Sequence, residues 1–249
     1  MNRGEFLSAA FLTGCEACIE EIAVIFGIQC DEHPFEVCLA VQAALADNGL
    51  YLTPALPKGD LRSPRLVACA LAKAGPDDVF RDIGAGESAS LEFKSTLLFD
   101  VRRSRAVPDS PRDQLKSEEV LHSALKTIAA FLNSEGGVLL MGVEDDGSIL
   151  GIEQDYEYCG DAEIDSWELT LRDLIQTRFY DGRSVNNFVR LSFVDIDGRC
   201  VARVVVTRRS QISYLKGKSG NYELYVRQGN RTVCLSLPEA EQLWRNRGV

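Results

Sequence analysis

The sequence has few of the features that assign a chain at once to a membrane protein or a common enzyme class. No apolar run reaches the roughly 18 residues that a helix needs to cross a bilayer, so no membrane span is expected. The only histidines, His33 and His122, are isolated, and no Ser-His-Asp or Cys-His arrangement can be built around them. The Gly-Gly of NSEGGVLL lacks the GxxxxGK(S/T) pattern and follows a helix rather than a strand, so ATP binding is not expected.

The chain also lacks a convincing export signal, which bears on its eight cysteines. Glu5 interrupts the basic start, and acidic residues return soon afterwards, so we expect a cytoplasmic protein without disulfides. Cys15 and Cys18 form a CxxC pair that could bind zinc together with Cys30 and Cys38. Because AFLTGCEACIEEIAVIF is typical of a continuous helix rather than a tight turn, buried free thiols are favoured over a zinc site.

Positive charge is scarce, with 27 Lys and Arg against 37 Asp and Glu and a formal net charge of −10. This balance argues against a protein that binds nucleic acid through its overall charge. The distribution is uneven, because residues 1–86 carry 12 acids and 6 bases, whereas residues 144–171 carry ten acids and no base. Residues 199–247 carry ten bases against three acids, so this end of the chain is suited to contact phosphate groups.

Hydrophobic periodicity divides the chain into two parts, and the first part, residues 1–80, predicts a small all-helical domain. One helix is expected over about residues 4–26, a second from Asp31 to Asn48-Gly49, and a third in PRLVACALAKAG after a Pro/Gly-rich connector. No motif assigns a role to this part, so a partner-binding or oligomerisation domain is our hypothesis for it. The tract GPDDVFRDIGAGES marks the predicted boundary.

The second part, residues 85–249, alternates strands and helices. SLEFKSTL predicts a strand with Glu92 and Lys94 on one face, and VRRSRAVPDSPRD predicts a basic loop. SEEVLHSALKTIAAFLNSEGG predicts a helix that Ser117 caps, and GVLLMGV predicts a strand buried on both faces. Hairpins are expected at EDDG, DIDG and QGN, with helices in WELTLRDLIQTRF and SLPEAEQLWRNR. The predicted fold class is therefore α/β (α+β), a mixed β-sheet flanked by helices.

Three strings in the second part resemble the Schlafen-type AlbA-like domain. They are the E-x4-E-F-K run that contains Glu87, Glu92 and Lys94, the segment TIAAFLNSEGGVLLMGVEDDGSILGI, and YELYVRQGNRT. The middle segment is the specific one, because a helix, Asn133, a Gly-Gly turn, an apolar strand, an acidic turn and LGI follow in order. The resemblance covers about residues 86–240 and implies a mixed α/β domain that binds nucleic acid. In the better-known Schlafen proteins, two such lobes form a horseshoe with endoribonuclease activity on transfer RNA.

The same resemblance implies candidate catalytic residues. The acidic triad of the Schlafen nucleases falls on Glu87, Glu92 and either Glu144 or Asp145, of which Asp145 is favoured because of its place after the strand. Three convergent carboxylates suit Mg²⁺ or Mn²⁺, which would activate water at a phosphodiester. Lys94 would then neutralise the phosphate or the developing oxyanion.

Plainer interpretations of these residues stay open. Glu92 and Lys94 suit an exposed strand face, and EDDG is a good hairpin turn without any chemistry. A shared site also requires a particular backbone, because Glu87 and Glu92 are five residues apart and an unbroken strand would point them to opposite faces. They can meet only if the chain bends between them, for which Ser88-Ala89 is the expected place.

We therefore expect a metal-dependent endonuclease that acts on RNA such as tRNA, with a non-catalytic nucleic-acid-binding or regulatory module as the alternative. A single lobe would supply half of a groove, so a homodimer is expected, and the helical part is a candidate link to a sensor in a defence system. For the QGN turn, two interpretations are equally favoured, a structural role in the sheet and a contact with phosphate. The residues expected to hold nucleic acid are Arg102, Arg103, Arg105, Arg208, Arg209, Lys216, Lys218, Arg227 and Arg231.

Overall fold

The N-terminal part of the chain combines helices with a small antiparallel sheet. The computed structural model describes residues 1–12, 15–29, 34–48, 50–53, 62, 65–69, 74–161 and 163–247. The elements before residue 70 are α1 (Arg3–Leu12), β1 (Cys15–Ala17), α2 (Ile19–Phe26), α3 (Pro34–Ala46), β2 (Leu50–Thr53) and β3 (Arg65–Cys69). The three strands pair antiparallel in the order β1-β3-β2. The predicted helical region is present, but it is not built from helices alone.

The predicted continuous helix over residues 4–26 is wrong, because a strand interrupts it. Cys18 follows this strand and caps α2, since its Sγ accepts from the Glu21 N–H while the Glu21 carboxylate accepts from the Cys18 N–H at 2.8 Å. This reciprocal cap starts a new helix just where the periodicity had predicted an unbroken one. The CxxC pair therefore lies on β1 and on the cap, and burial raises the pKa of the Cys15 thiol to about 12.

The predicted helix in PRLVACALAKAG is also wrong, because its first half forms the central strand β3. Val67 is fully buried and its backbone lies opposite both Cys15 and Leu52. Two flanking strands supply hydrogen bonds to both edges of β3, and this non-local pairing overrides the weak helical preference of a short segment. Residues 70–73, most of the predicted connector, and the Asp31 and Gly49 ends of the second helix lie outside the described residues.

The second part contains the large sheet and its covering helices. After residue 75 the elements are α4 (Pro76–Ala85), β4 (Leu91–Lys94), α5 (Val101–Ala106), α6 (Glu118–Asn133), β5 (Gly137–Met141), α7 (Ile164–Arg178), α8 (Gly182–Val185), β6 (Val189–Ile196), β7 (Arg199–Val206), β8 (Leu215–Lys216), β9 (Tyr222–Glu223), β10 (Tyr225–Gln228), β11 (Arg231–Cys234) and α9 (Leu237–Arg247). This arrangement confirms the mixed α/β class. Within the described ranges, no helix is both long and apolar enough to cross a bilayer.

The four-stranded sheet has the order β4-β5-β7-β6 and separates two apolar layers. β4 and β5 are parallel, whereas β7 pairs antiparallel with both β5 and β6. Buried side chains of α6 and α7 pack on one face, and Val79 of α4 packs on the other. β5 is buried along its whole length, as the sequence predicts, because helices cover both of its faces.

The turns that the sequence predicts from Asp-Gly pairs are present. Asp197 and Gly198 have positive φ values of 52° and 78°, which suits the tight β6–β7 hairpin. Gly147 closes the EDDG turn with φ of 84°, where Val143 pairs with Ile149. The predicted basic loop differs in part, because its first residues form the short helix α5, which Asp100 caps by accepting from the Arg103 N–H at 2.8 Å.

One buried carboxylate, that of Asp155, holds the loop after β4 against the rest of the domain. It accepts the backbone N–H groups of Leu97 at 2.8 Å, Leu98 at 2.8 Å and Phe99 at 2.9 Å, and the indole N–H of Trp167 at 3.1 Å. Burial raises the pKa of Asp155, and these four donors counteract that rise. The carboxylate thereby fixes the path of the chain from β4 to α5.

Replacing Asp155 with Ala is expected to destabilise the domain strongly. Three backbone N–H groups and the indole would be left without their acceptor inside the protein, which costs about 3–5 kcal/mol of unfolding free energy. Urea unfolding followed by circular dichroism measures the change. Glu157→Ala is the matched control, since this nearby carboxylate is half exposed and pairs with Arg112 at the surface; equal stability of the two variants would contradict the role of Asp155.

Candidate functional site

Strand β4 presents the Glu-Phe-Lys run at the edge of the large sheet. Leu91 and Phe93 are buried in the apolar layer next to α4, so the alternation of the strand directs Glu92 and Lys94 to the opposite face. Because β4 and β5 are parallel, their carboxyl ends lie at the same edge of the sheet. Lys94 therefore ends β4 beside the acidic turn that follows β5.

Glu92 lies between two cations. Its Oε1 is 2.6 Å from the Lys94 Nζ, and its Oε2 is 2.9 Å from the Arg227 Nη1. The three side chains are mostly buried, with exposed fractions of 14% for Glu92, 21% for Lys94 and 2% for Arg227. Burial of a lone carboxylate would be costly, so this pairing explains why the strand can carry charge on its inner face.

Arg227 is fixed by more than its ion pair. Its Nη2 donates to the Ser88 carbonyl, its Nη1 donates to the Thr232 hydroxyl at 3.0 Å, and its guanidinium lies 5.2 Å from the centre of the Phe131 ring. These contacts join β10 to α6 and to the segment before β4. The Arg227 side chain is therefore part of the interior, and its role as a phosphate contact stays a prediction.

The chain bends between Glu87 and Glu92 at the place that the sequence predicts. The Ser88 N–H donates to the Leu91 carbonyl at 2.8 Å, which turns the segment over the edge of the sheet. The exposed Glu87 carboxylate accepts the Phe93 N–H at 3.0 Å, a group on the unpaired edge of β4. Glu87 thus satisfies the edge of the strand, whereas Glu92 points into the face that α6 covers.

The three acids of the turn after β5 have different surroundings. Arg105 holds Glu144 in a two-pronged ion pair, with Nη1 to Oε1 at 2.9 Å and Nη2 to Oε2 at 3.0 Å. Asp145 is 73% exposed, and its Oδ2 is 3.8 Å from the Arg102 Nη2. Asp146 accepts from the Ser148 N–H and hydroxyl, and these hydrogen bonds lower its pKa. Asp145 is thus more accessible than Glu144 and more loosely paired.

A groove of about 610 Å³ lies at this edge of the sheet and contains charges of both signs. Its cations are Lys94, Arg102 and Arg105, and they face the acids of the turn across it. The serines and threonine of the groove follow the end of β4 or lie in the first turns of α6, and among them the sequence singled out only Ser117, as a helix cap. The residues that line it are Lys94, Ser95, Thr96, Phe99, Asp100, Val101, Arg102, Arg105, Ser117, Glu119, Val120, Ser123, Glu144, Asp145 and Asp146.

The predicted carboxylates do not fit a divalent cation in their present arrangement. Among the described residues, no group of three or more His, Cys, Asp or Glu side chains is placed to hold a metal. Both oxygens of Glu92 and both oxygens of Glu144 contact a cationic side chain instead. No catalytic step through a metal follows from this geometry, and the catalytic role of Glu87, Glu92, Lys94 and Asp145 stays a prediction.

The predicted nucleic-acid contacts fall into two classes. Arg209 is 3% exposed, binds Asp181 at 3.1 Å and lies over the Phe188 ring, so it belongs to the interior together with Arg227. Sequence alone cannot separate such arginines from surface ones, because burial depends on distant partners. The exposed members of the set are Arg102, Arg103, Arg105, Arg208, Lys216, Lys218 and Arg231.

Comparisons with known proteins give one family and a distant structural likeness. The family model described as Schlafen, AlbA_2 matches residues 87–236. The crystal structure of the DIP2311 protein from Corynebacterium diphtheriae is 19% identical, covers 64% of this chain and has a TM-score of 0.40. The match spans 24% of that protein. No curated protein matches the chain.

Substitution of Arg227 and of Arg231 in a stability experiment distinguishes a buried structural arginine from an exposed surface one. Arg227→Met is expected to lower the unfolding free energy by about 3–5 kcal/mol, because Glu92 would be left without one of its partners inside the protein. Arg231→Met, at the exposed end of the same hairpin, is expected to change it by less than about 0.5 kcal/mol. Urea unfolding compares the two, and a stable Arg227 variant would show that this arginine is not a structural residue.

Proposed function

The chain belongs to the Schlafen AlbA_2 family, which indicates a nucleic-acid-binding domain, and we propose that it holds its ligand by phosphate contacts at the groove between β4 and α5. The observation that carries this proposal is the exposure of Arg102, Arg103 and Arg105 on α5. These cations lie beside the groove, which Lys94 lines from the end of β4. RNA is the ligand that we favour, and DNA is the alternative.

The ion pairs of these cations are weak enough for a phosphate to replace them. The Arg105 side chain is 62% exposed in its pair with Glu144, and the Arg102 side chain is 94% exposed near Asp145. Exposed pairs contribute about 0–1 kcal/mol, and the two-pronged Arg105–Glu144 pair belongs at the upper end of that range. A phosphodiester offers the same negative charge with more oxygen acceptors, so arginine can exchange a carboxylate for it at little cost.

The proposal also includes the oligomeric state of the domain, its partner-binding region and its cellular role. A second copy of the chain would supply the other half of a two-lobed groove, so a homodimer is the proposed binding unit. The N-terminal part, with its own apolar core around Phe6, Ile22 and Val41, is the proposed partner-binding region. A cytoplasmic location and a role in a defence system belong to the same proposal.

Removal of two groove arginines is expected to weaken binding and to reduce its dependence on salt. For Arg102→Gln combined with Arg105→Gln, the slope of log affinity against log salt should fall by about 0.7–0.9 for each phosphate that the variant no longer neutralises. Fluorescence anisotropy with a labelled oligonucleotide at several salt concentrations measures both effects. Arg81→Gln, an exposed arginine of α4 that does not line the groove, is the control. An unchanged slope would contradict the proposed position of the phosphates.

Metal-dependent endonuclease activity, with RNA such as tRNA as substrate, is the second candidate function. The observation that favours it is the juxtaposition of Lys94 with three consecutive acids, Glu144, Asp145 and Asp146, in one groove. This candidate requires Glu87 and Glu92 to join them with Mg²⁺ or Mn²⁺ as cofactor, although both oxygens of Glu92 now contact cations.

A cleavage assay tests the second candidate. This candidate predicts that incubation of tRNA, other RNA and single-stranded DNA with Mn²⁺ or Mg²⁺ gives products that Asp145→Asn abolishes. Asp145 is the informative position because it is exposed, so the variant should fold normally, which thermal unfolding checks. Glu135→Gln, an equally exposed carboxylate outside the groove, is expected to cleave like the parent. Intact substrates, or cleavage that survives Asp145→Asn, would leave the binding module as the function.

A further inference from the structure

Two tyrosines on the surface of the domain form an exposed pair that the groove does not include. The Tyr180 and Tyr222 side chains are 73% and 51% exposed, and their rings lie 5.5 Å apart at 90°. Aromatic side chains of this size carry a large apolar area, and a pair left in water is an uncommon use of it. The exposed rings are therefore suited to bind a ligand with a flat apolar face.

Buried neighbours and backbone hydrogen bonds hold the segments that carry the two tyrosines. Phe179 and Leu215 form an antiparallel bridge and are 3% and 0% exposed, and the Tyr180 N–H donates to the Tyr214 carbonyl at 3.1 Å. β8 then pairs with β9, which places Tyr222 directly opposite Lys216. Residues that face each other in an antiparallel pair lie on the same side, so the ring and the ammonium share one outer face.

Cations lie on the same segments as this aromatic pair, since Arg178 ends α7 just before Tyr180 and Lys216 is opposite Tyr222. A cleft of about 540 Å³ is lined by Arg178, Lys216 and Lys218, together with Glu118 and Thr177. Lys216 has no carboxylate partner within the described part of the chain. Arg178 pairs with Glu118 at 2.7 Å and Lys218 pairs with Glu119 at 2.7 Å, and the four side chains are 33–82% exposed. Both pairs are open to solvent, so a phosphate can compete with the carboxylates for these cations.

Given the proposed binding of nucleic acid, we propose that Tyr180, Tyr222 and Lys216 form a surface, the tyrosine surface, that binds an unpaired stretch of the nucleic acid. A base exposes its flat face to an aromatic ring only where it is not stacked in a duplex. Tyrosine rings with adjacent cations match both parts of such a ligand, because the rings stack on the bases and the cations contact the phosphates. A duplex, which hides its base faces, would use the cations alone.

The cleft that Lys216 of the tyrosine surface lines meets the groove that Lys94 lines at the first turn of α6. Glu118 lines the cleft, its neighbour Glu119 lines the groove, and the Lys218–Glu119 ion pair joins the two. A single strand that stacks on the tyrosines can therefore continue past the start of α6 toward Lys94. The tyrosine surface would hold the unpaired part and present the adjoining phosphates to the groove.

A tryptophan probe tests stacking directly. In Tyr222→Trp the new indole should be quenched on addition of a single-stranded RNA or DNA oligonucleotide, because a base stacks on it. Phe80→Trp is the matched control, since Phe80 is 50% exposed on α4 and lines neither the cleft nor the groove. Emission from the native tryptophans is subtracted with the parent protein. Quenching in the Tyr222→Trp variant alone supports the proposal, and equal quenching in both variants, or in neither, overturns it.

Affinity measurements separate this proposal from the one on which it rests. Tyr180→Ala and Tyr222→Ala are each expected to weaken single-strand binding by about 5- to 150-fold, the range for removal of one stacked base, and to leave duplex binding unchanged. Tyr→Phe at either position keeps the ring and should retain full affinity. Binding that is insensitive to both Ala variants overturns the tyrosine surface and leaves the nucleic-acid-binding function intact. A parent protein that binds neither strand nor duplex overturns the function itself.

Discussion

The interaction on which the groove depends most is the capture of the loop after β4 by the Asp155 carboxylate. Parallel pairing fixes only where β4 ends, and the next residues must still be turned toward α5. Asp155 does this by accepting three consecutive N–H groups, from Leu97, Leu98 and Phe99, and it receives the Trp167 indole at the same time. Consecutive N–H groups pointing at one acceptor force a tight turn, and that turn sets where α5 begins. The arginines of α5 reach the groove because a buried carboxylate from a distant part of the chain holds the base of their helix.

The charges of the Glu-Phe-Lys strand form a mostly buried ion pair whose lysine also lines the groove. Glu92 and Lys94 are two residues apart and on one face, so their ion pair follows from strand geometry alone. Arg227 adds a second cation, which leaves this buried group with one negative and two positive charges. Lys94 is the member of this group that lines the groove, and the net positive charge of the group favours anions there, such as the carboxylates of the turn after β5. The ion pair that stabilises the strand therefore also contributes to the electrostatic field at the groove.

Local patterns predicted the second part of the chain well. The cap at Ser117, the apolar run of β5 and the Asp-Gly turns depend on neighbouring residues, and each is present in the structure. The misses are contacts between distant residues. β3 becomes a strand because two other strands flank it, and Arg227 becomes a buried partner of Glu92 across 135 positions of sequence. No local pattern distinguishes such an arginine from an exposed one, because both follow the same alternation and differ only in what packs over them.

The first turn of α6 connects these features. Glu118 and Glu119 suit the positive end of the helix dipole, and each also pairs with a cation of the cleft, Arg178 or Lys218. A phosphate that binds these cations must displace the carboxylates. The positive charge of the cations is therefore already partly neutralised in the free protein. The displaced acids keep their favourable place at the helix end, which lowers the cost of the exchange. Because the chain has a net charge of −10, clusters of exposed cations, whether paired like Arg178 and Lys218 or unpaired within the described residues like Lys216, are the expected contacts for a polyanion.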